Sequence, residues 1–197
     1  MAEPVPQDTT NRLSSNPAAD VVVRASRDDD IEAMLAIYRT HTRSGLGPLG
    51  NYEIDEPQLD DMKRRRKNMK NHRLPHLVAE SERKILGYTY VVPFRKRPAY
   101  RYAVKHSIYV HPDHLQRGIG RLLLAALIDA CAAAGYRQMI GYVDNANLPS
   151  VRLHEAFGFR QVGYLPSISF KLGQWADMII VQRSLGAGAT TKPDIWL

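Results

Sequence analysis

The sequence predicts a mixed α/β fold, with antiparallel strands in its first half and a strand–helix–strand–helix succession in its second. Three features carry this. The strand-like runs His76–Glu80 and Ile85–Val92 are joined by the polar, hairpin-sized link Ser81-Glu82-Arg83-Lys84, which pairs them antiparallel. Ile119, Leu122, Leu123, Ala126, Leu127 and Ala130 repeat at helical spacing. Between them, Val104–Val110 alternates as a strand and leads into that helix through a glycine-bearing turn.

In chain order, Val21-Val22-Val23 reads as a short strand. Ser26 followed by Asp28-Asp29-Asp30 signals a helix start, with acids at the positive end of the helix dipole, and Ile31, Met34, Leu35 and Tyr38 form its apolar stripe. Gly45, Gly47, Pro48 and Gly50 break the chain, and a charge-rich helix covers about Gln58 to Lys70. On the strand that follows the hairpin, Val104, His106, Ile108 and Val110 face one way and Lys105, Ser107 and Tyr109 the other. The long helix runs from Gly118 to about Ala134 and stops at Gly135. Met139–Val143 is a buried strand, Asn147–Phe157 a shorter helix closed by Gly158, and Phe159–Tyr164 and Met178–Arg183 the last strands. Residues 1–20 and 186–197 have the composition of tails, which leaves one domain over residues 21–185.

The 197 residues suffice for one domain with a sizeable core. No apolar run is long enough to span a bilayer, and the first residues lack a secretory pattern, so the expected setting is the cytoplasm, with no membrane partner. The single cysteine, Cys131, lies in an apolar helical pattern and reads as a buried core thiol. A net charge of +7 suits either nucleic acid or a small anionic ligand. The densest basic run, Lys63–Lys67 with Lys70, reads as a solvated helix face. No zinc-ligand spacing or RNA-binding signature accompanies it, so nucleic acid is not the favoured partner and no metal is expected.

The chemistry concentrates between Ser107 and Leu124. A strand ends at Val110, His111-Pro112-Asp113-His114 turns, and Gly118 and Gly120 open the helix. A helix N-terminus offers unpaired N–H groups and partial positive charge, which suits a phosphate. Arg117 and Arg121 add cations there. Alone, Gly-x-Gly before a helix equally suits close packing. It is neither a dinucleotide-binding nor a Walker fingerprint.

Further matches single out a family: Tyr52-Glu53 with Pro57, Leu77-Val78-Ala79-Glu80, Gly87-Tyr88-Thr89-Tyr90, Arg97-Pro98-Ala99-Tyr100-Arg101, Ser107-Ile108-Tyr109-Val110, Gly118-Ile119-Gly120, Asn147, Leu153-His154, Gly158-Phe159 and Lys171-Leu172-Gly173-Gln174-Trp175-Ala176-Asp177. On these residues the chain resembles the GNAT superfamily of N-acetyltransferases, and within it the phosphinothricin N-acetyltransferase family. The resemblance spans about Val21 to Leu185. It implies a GNAT-like mixed sheet, mostly antiparallel, in which the strands ending at Val110 and near Val143 splay apart. Acetyl-CoA is the implied cosubstrate, its pantetheine arm along the backbone of Ile108, Tyr109 and Val110 and its pyrophosphate on Leu115, Gln116, Arg117, Gly118, Ile119 and Gly120. Asn147 matches a side-chain contact to acetyl-CoA and can also cap the helix it precedes; Ser150 in the first turn is more ambiguous. The implied acceptor is a small-molecule amine, the α-amine of a small amino acid or a phosphinothricin-like analogue, bound by Arg97, Tyr100, Tyr52 and Glu53. A homodimer is also implied.

Two positions depart from the pattern. Leu115 stands where the superfamily often has Gln or Arg. Lys105 stands where relatives carry the glutamate proposed as general base, and a protonated amine cannot accept a proton. Lys105 then binds an anionic substrate group, or water or His106 takes the proton, or the chain is a weak member. His154 sits where many GNAT enzymes place a tyrosine that protonates the leaving thiolate; it is either that general acid or a packed helix histidine held by the backbone. The expected reaction is direct attack of a neutral amine on the thioester, without an acyl-enzyme. A coenzyme A-binding regulatory domain without turnover and a basic nucleic-acid binder are the alternatives.

Overall fold

The computed structural model describes residues 20–43, 58–171 and 173–193. Among the described residues seven strands form one sheet in the order β1-β2-β3-β4-β5-β7-β6. They are β1 (Val22–Ala25), β2 (His76–Ser81), β3 (Lys84–Pro93), β4 (Ala103–Val110), β5 (Gln138–Asp144), β6 (Arg160–Lys171) and β7 (Gln174–Ser184). The helices are α1 (Ile31–Arg43), α2 (Leu59–Asn71), α3 (Ile119–Ala133) and α4 (Leu148–Ala156). Every strand pairing is antiparallel except β4 with β5. The mixed, mostly antiparallel sheet expected from the sequence is therefore observed.

Alternation along β4 divides the core. Tyr109 packs with Tyr88 and with Ile31, Met34 and Ile37 of α1 and Met62 of α2. Ile108 and Val110 pack on the other face against Ile119 and Leu123 of α3. Cys131 is buried in the main cluster with Leu124, Leu127 and Ile128, and burial pushes its thiol up to about 12, as expected of a core residue. α3 ends as its glycine suggests. Gly135 has φ 86° and donates to Ala132 O, and Tyr136 N–H reaches back to Cys131 O.

Three local expectations are corrected. The first helix does not start on a Ser26 cap. Arg27 precedes a short 3₁₀ turn at Asp28–Asp30, and the Asp30 carboxylate accepts from Arg27 N–H (2.6 Å) and, in a fork, from Arg24 (2.8 Å each). Burial works to raise the Asp30 pKa, but these bonds outweigh it and hold the group below its ordinary range. The last two strands are longer than expected, because β6 and β7 go on pairing as far as the hairpin turn at Gly173, and β6 is an edge strand. Its pattern is broken by Pro166 and by irregularities at Gln161/Gly163 and Leu165/Ser169, which an edge tolerates. The basic run is also not uniformly solvated. Arg66 is buried, with its guanidinium on Ser26 Oγ (3.0 Å), Ser26 O (2.6 Å) and the Asp28 carboxylate, while Lys63 and Arg64 lie exposed beside Asp60 and Asp61. After β7, Gly188 N–H donates to Leu185 O (2.8 Å) in the segment expected as a tail. Among the described residues no helix is long and apolar enough to cross a membrane.

Candidate active site

β4 and β5 pair in parallel at three positions only, Ala103↔Gln138, Val104↔Met139 and Lys105↔Ile140. β4 continues to Val110 and β5 to Asp144, so the strands part after Lys105 and Ile140. Backbone direction tells which groups line the gap. The bonds His111 N–H to Leu86 O and Phe94 N–H to Ala103 O lie at the two ends of an unbroken register with β3. Antiparallel pairs alternate, so Lys105, Ser107 and Tyr109 turn their backbone groups to β3. Ile108 and Val110 turn theirs toward β5, where neither has a strand partner. The Val110 carbonyl is met instead by His41 Nε2 from α1 (2.6 Å). Of the three strand residues expected to carry the pantetheine arm, Ile108 and Val110 thus face the splay. Tyr109 does not: its backbone faces β3 and its side chain is buried on the α1 side.

The turn at the end of β4 leads into α3. Pro112–His114 form a 3₁₀ turn, and His111 Nδ1 accepts from Asp113 N–H (3.2 Å). Gln116 (φ 57°) and Gly118 (φ 82°) are left-handed, which costs little at glycine and more at Gln116. Gly118 is the N-cap of α3, its carbonyl accepting from Arg121 and Leu122. Helix geometry leaves the N–H groups of Ile119 and Gly120 without intrahelical partners, pointing out of the helix end. A Cβ at Gly120 would stand 3.3 Å from Leu153 Cδ2, so this glycine also lets α4 close on α3. Ile119 is buried and anchors the turn, while Leu115 is exposed. The close-packing reading of the Gly-x-Gly turn is met at Gly120, and the outward N–H groups keep the turn suited to an anion. Asn147 caps α4, its Oδ1 accepting from Ser150 N–H (3.2 Å), which leaves the amide nitrogen to donate elsewhere.

At the apex of the splay two residues diverge. Lys105 projects to the tyrosine-rich face, its Nζ 5.6 Å from the Tyr142 ring centroid. His106 projects to the other, where its Nε2 lies 2.8 Å from His154 Nε2. The remaining ring nitrogens meet carbonyls, His106 Nδ1 at Ile140 O (3.0 Å) and His154 Nδ1 at Ser150 O (2.6 Å). His154 is 2% exposed and both its nitrogens are engaged. Burial pushes both imidazoles down, His106 to about 3.

Tyr100 ends the 3₁₀ turn Pro98–Tyr100 between β3 and β4 and Arg97 is its N-cap, both at the opposite end of β4 from Gly118. Tyr100 packs edge-on against Phe94 (5.9 Å), with the Arg95 guanidinium over both rings. Tyr52 and Glu53, assigned to the acceptor pocket, lie outside the described residues. Sequence reasoning passed over Arg95, whose signal was its place in Phe-Arg-Lys-Arg-Pro, and the contact of His106 with His154, 48 residues apart. It also passed over a tyrosine cluster on the Lys105 face, where Tyr88, Tyr90, Tyr109 and His76 stack in series. The motif Lys171–Asp177 proves structural in its visible part. Gly173 (φ 74°) turns the β6–β7 hairpin, and the Asp177 carboxylate braces Tyr164 OH and the Ser167 N–H. Among the described residues no cluster suits a metal ion.

The comparisons agree with this geometry. A family model described as the acetyltransferase (GNAT) family matches residues 31–159. The chain is 43% identical over 173 residues to phosphinothricin N-acetyltransferase from Alcaligenes faecalis, covering 87% of this chain and 86% of that one. It is 36% identical over 120 residues to an L-amino acid N-acyltransferase from Escherichia coli, covering 61% and 69%. Among solved structures, a GNAT superfamily phosphinothricin acetyltransferase from Sinorhizobium meliloti in complex with AcCoA superposes with a TM-score of 0.84 at 36% identity, over 89% of this chain and 94% of that one. The chain therefore belongs to the GNAT acetyltransferase family. Within that family it groups with the phosphinothricin N-acetyltransferases, and it is an N-acetyltransferase.

Proposed function

We propose that the protein transfers the acetyl group of acetyl-CoA directly to the α-amine of a small amino acid or analogue with an anionic side group. The observation that carries this is the splay, with the Ile108 backbone and the Val110 N–H facing it on one wall and the anion-suited turn Gln116–Gly120 at its mouth. Acetyl-CoA supplies the activated acyl group. The chain's own residues hold it: Ile119 and Gly120 N–H and Arg117 at the pyrophosphate, Asn147 Nδ2 at its side, and Ile108 N–H, Ile108 C=O and Val110 N–H along the pantetheine arm. The buried sheet and α4 exclude water from the thioester, and the backbone donors of β4 are preorganised for charge developing on its oxygen.

The acceptor enters from the Lys105 side. Lys105 serves as the cation for the anionic group, with Arg97 and Arg95 beyond it. Names borne by relatives support this choice: phosphinothricin and L-methionine sulfoximine are amino acids with polar or anionic tetrahedral side groups. The amine arrives neutral and loses its proton to water, and His154 serves the leaving thiolate. Two further parts of the reading have narrower support. A homodimer is supported by the exposed Val162, Tyr164, Ile168, Phe170 and Trp175 on β6 and β7. A cytoplasmic setting suits the buried free thiol of Cys131.

A thiol-release assay tests the function. Acetyl-CoA is offered with phosphinothricin, methionine sulfoximine, methionine sulfone, glutamate, unmodified small amino acids and simple alkylamines, with mass analysis of the products. Acetylated anionic amino acids are the expected result. Binding of acetyl-CoA without release of thiol on any amine replaces this reading with that of a regulatory domain.

A further inference from the structure

The hydrogen bonds around His106 and His154 do not balance for two neutral rings. Ile140 O and Ser150 O are carbonyls and only accept, so each Nδ1 must carry a proton to make its contact. The contact between the two Nε2 atoms, 2.8 Å, needs a third. Two neutral imidazoles bring one ring proton each. The neutral pair is one proton short, and two lone pairs then face each other; a pair with three ring protons completes every bond.

Among the described residues, the surroundings neither supply nor neutralise that charge. Phe159 lies against both rings, 5.4 Å from His106 and 5.1 Å from His154 between centroids. The Ser150 hydroxyl is 3.5 Å from His154 Nδ1, at the limit of contact. The cations of neighbouring elements, Arg121 of α3 and Arg183 of β7, are held at Phe157, and Lys105 projects to the other face. Gly141 leaves room for the His106 ring, since a Cβ there would stand 2.7 Å from His106 Cε1. Burial opposes the charge, and the third hydrogen bond favours it.

We propose that His106 and His154 act as one proton-sharing unit at the apex of the splay, with His106 the positioning residue that sets the protonation state of His154 during acetyl transfer. This rests on the acetyltransferase reading above and on a proton-transfer role for His154. In turnover the Nε2 contact opens and one N–H bond breaks. That proton goes to the departing coenzyme A sulfur, and the unit falls from three ring protons to two. The proton shed by the attacking amine nitrogen, relayed by water, refills it, so the sum over one turnover is balanced.

The test uses the full chain with ¹⁵N-labelled histidine, followed by NMR from about pH 4 to about pH 9. The expected result is one coupled step in which His106 and His154 together lose a single proton. In His106→Gln, and in His106→Phe if the first fails to fold, the step at His154 moves by about one pH unit or more. The pH dependence of kcat moves with it, while the acetyl-CoA dissociation constant stays within about threefold, a shift under 1 kcal/mol. Two neutral rings throughout the range, or a His154 step at one midpoint with and without His106, overturns the proposal. The wild-type titration needs no variant and no turnover. Should no amine be acetylated while the coupled step is present, the acetyl-transfer reading fails and the shared proton stands.

Discussion

Lys105 on β4 and Ile140 on β5 are the last residues to pair across the parallel seam between these strands. Beyond them the two strands part. The position that closes the seam is therefore also the floor of the gap, and its side chain is a cation turned to the Tyr142 face.

That placement predicts the outcome of reversing the charge. In Lys105→Glu, kcat/KM for anionic amino-acid acceptors should fall about tenfold or more relative to neutral ones, a discrimination of about 1.4 kcal/mol. The KM for acetyl-CoA should barely change, because Lys105 lies on the face away from α3 and α4. Steady-state kinetics over paired acceptors reads this directly; an unchanged ratio removes Lys105 from the acceptor site.

At the other end of the splay, Gly118→Ala isolates the turn. Its φ of 82° disfavours a side chain, although a Cβ would meet nothing within 4 Å. The strain should cost about 1 kcal/mol, or about 2–4 °C in Tm. If the turn holds the pyrophosphate, the KM for acetyl-CoA rises with it, because the N–H groups of α3 lose their aim. Calorimetry with and without acetyl-CoA separates the two effects.

Gly141→Ala tests how tightly the apex is packed. The new methyl would stand 2.7 Å from His106 Cε1 and 2.9 Å from Val181 Cγ2. Overpacking of this kind should destabilise the fold by about 1–3 kcal/mol. Urea unfolding should show a lower midpoint, and the His106 resonances should shift.

His76 gives a pH dependence with a defined sign. Burial, with the positive charge of Arg66, pushes it down to about 4. Its ordinary value is about 6.5, so below that pH the unfolded chain binds a proton that the folded chain refuses. Stability should therefore fall as pH drops from about 6.5 toward about 4, with about 2 kcal/mol lost by pH 5 from this group. His76→Phe keeps the stacking on Tyr88 and Tyr90 and should flatten that part of the decline. Urea midpoints of both proteins at about pH 7 and about pH 5 make the comparison, in which other histidines cancel.

The basic run divides into one structural residue and several surface ones. Arg66→Ala strips three hydrogen bonds to Ser26 and Asp28 and should cost about 1.5–3 kcal/mol. Lys63→Ala and Arg64→Ala, at exposed i,i+3 pairs, should stay within about 0.5 kcal/mol. Equal effects at all three would show that the run acts as one surface.

Periodicity and turn chemistry were enough for most of the frame. The hairpin of β2 and β3, the stop of α3 at Gly135 and the alternation of β4 all follow from short-range patterns that stand in the chain itself. The edge strand escaped such reading because Pro166 and two irregularities disturb its alternation, and only pairing with β7 shows that it continues to Lys171. The glycine turn was legible because Gly118 needs no partner to adopt its left-handed backbone. The orientation of Tyr109 on the expected pantetheine wall was not: it shares a motif with Ile108 and Val110, yet the register with β3 turns its backbone away from them.

The sequence by itself determined the family, the sheet-and-helix order and the turn that suits an anion, since each depends on residues close together in the chain. Only the tertiary structure decided where the strands part and which groups meet there. In sequence His154 stands out by its motif and His106 only as one possible proton acceptor, and nothing in the chain joins the two. The packing of α4 across β4 brings their Nε2 atoms to 2.8 Å. Their shared proton is a consequence of that approach, because the number of protons a pair needs is set by the partners its nitrogens face, and those lie on other strands and turns.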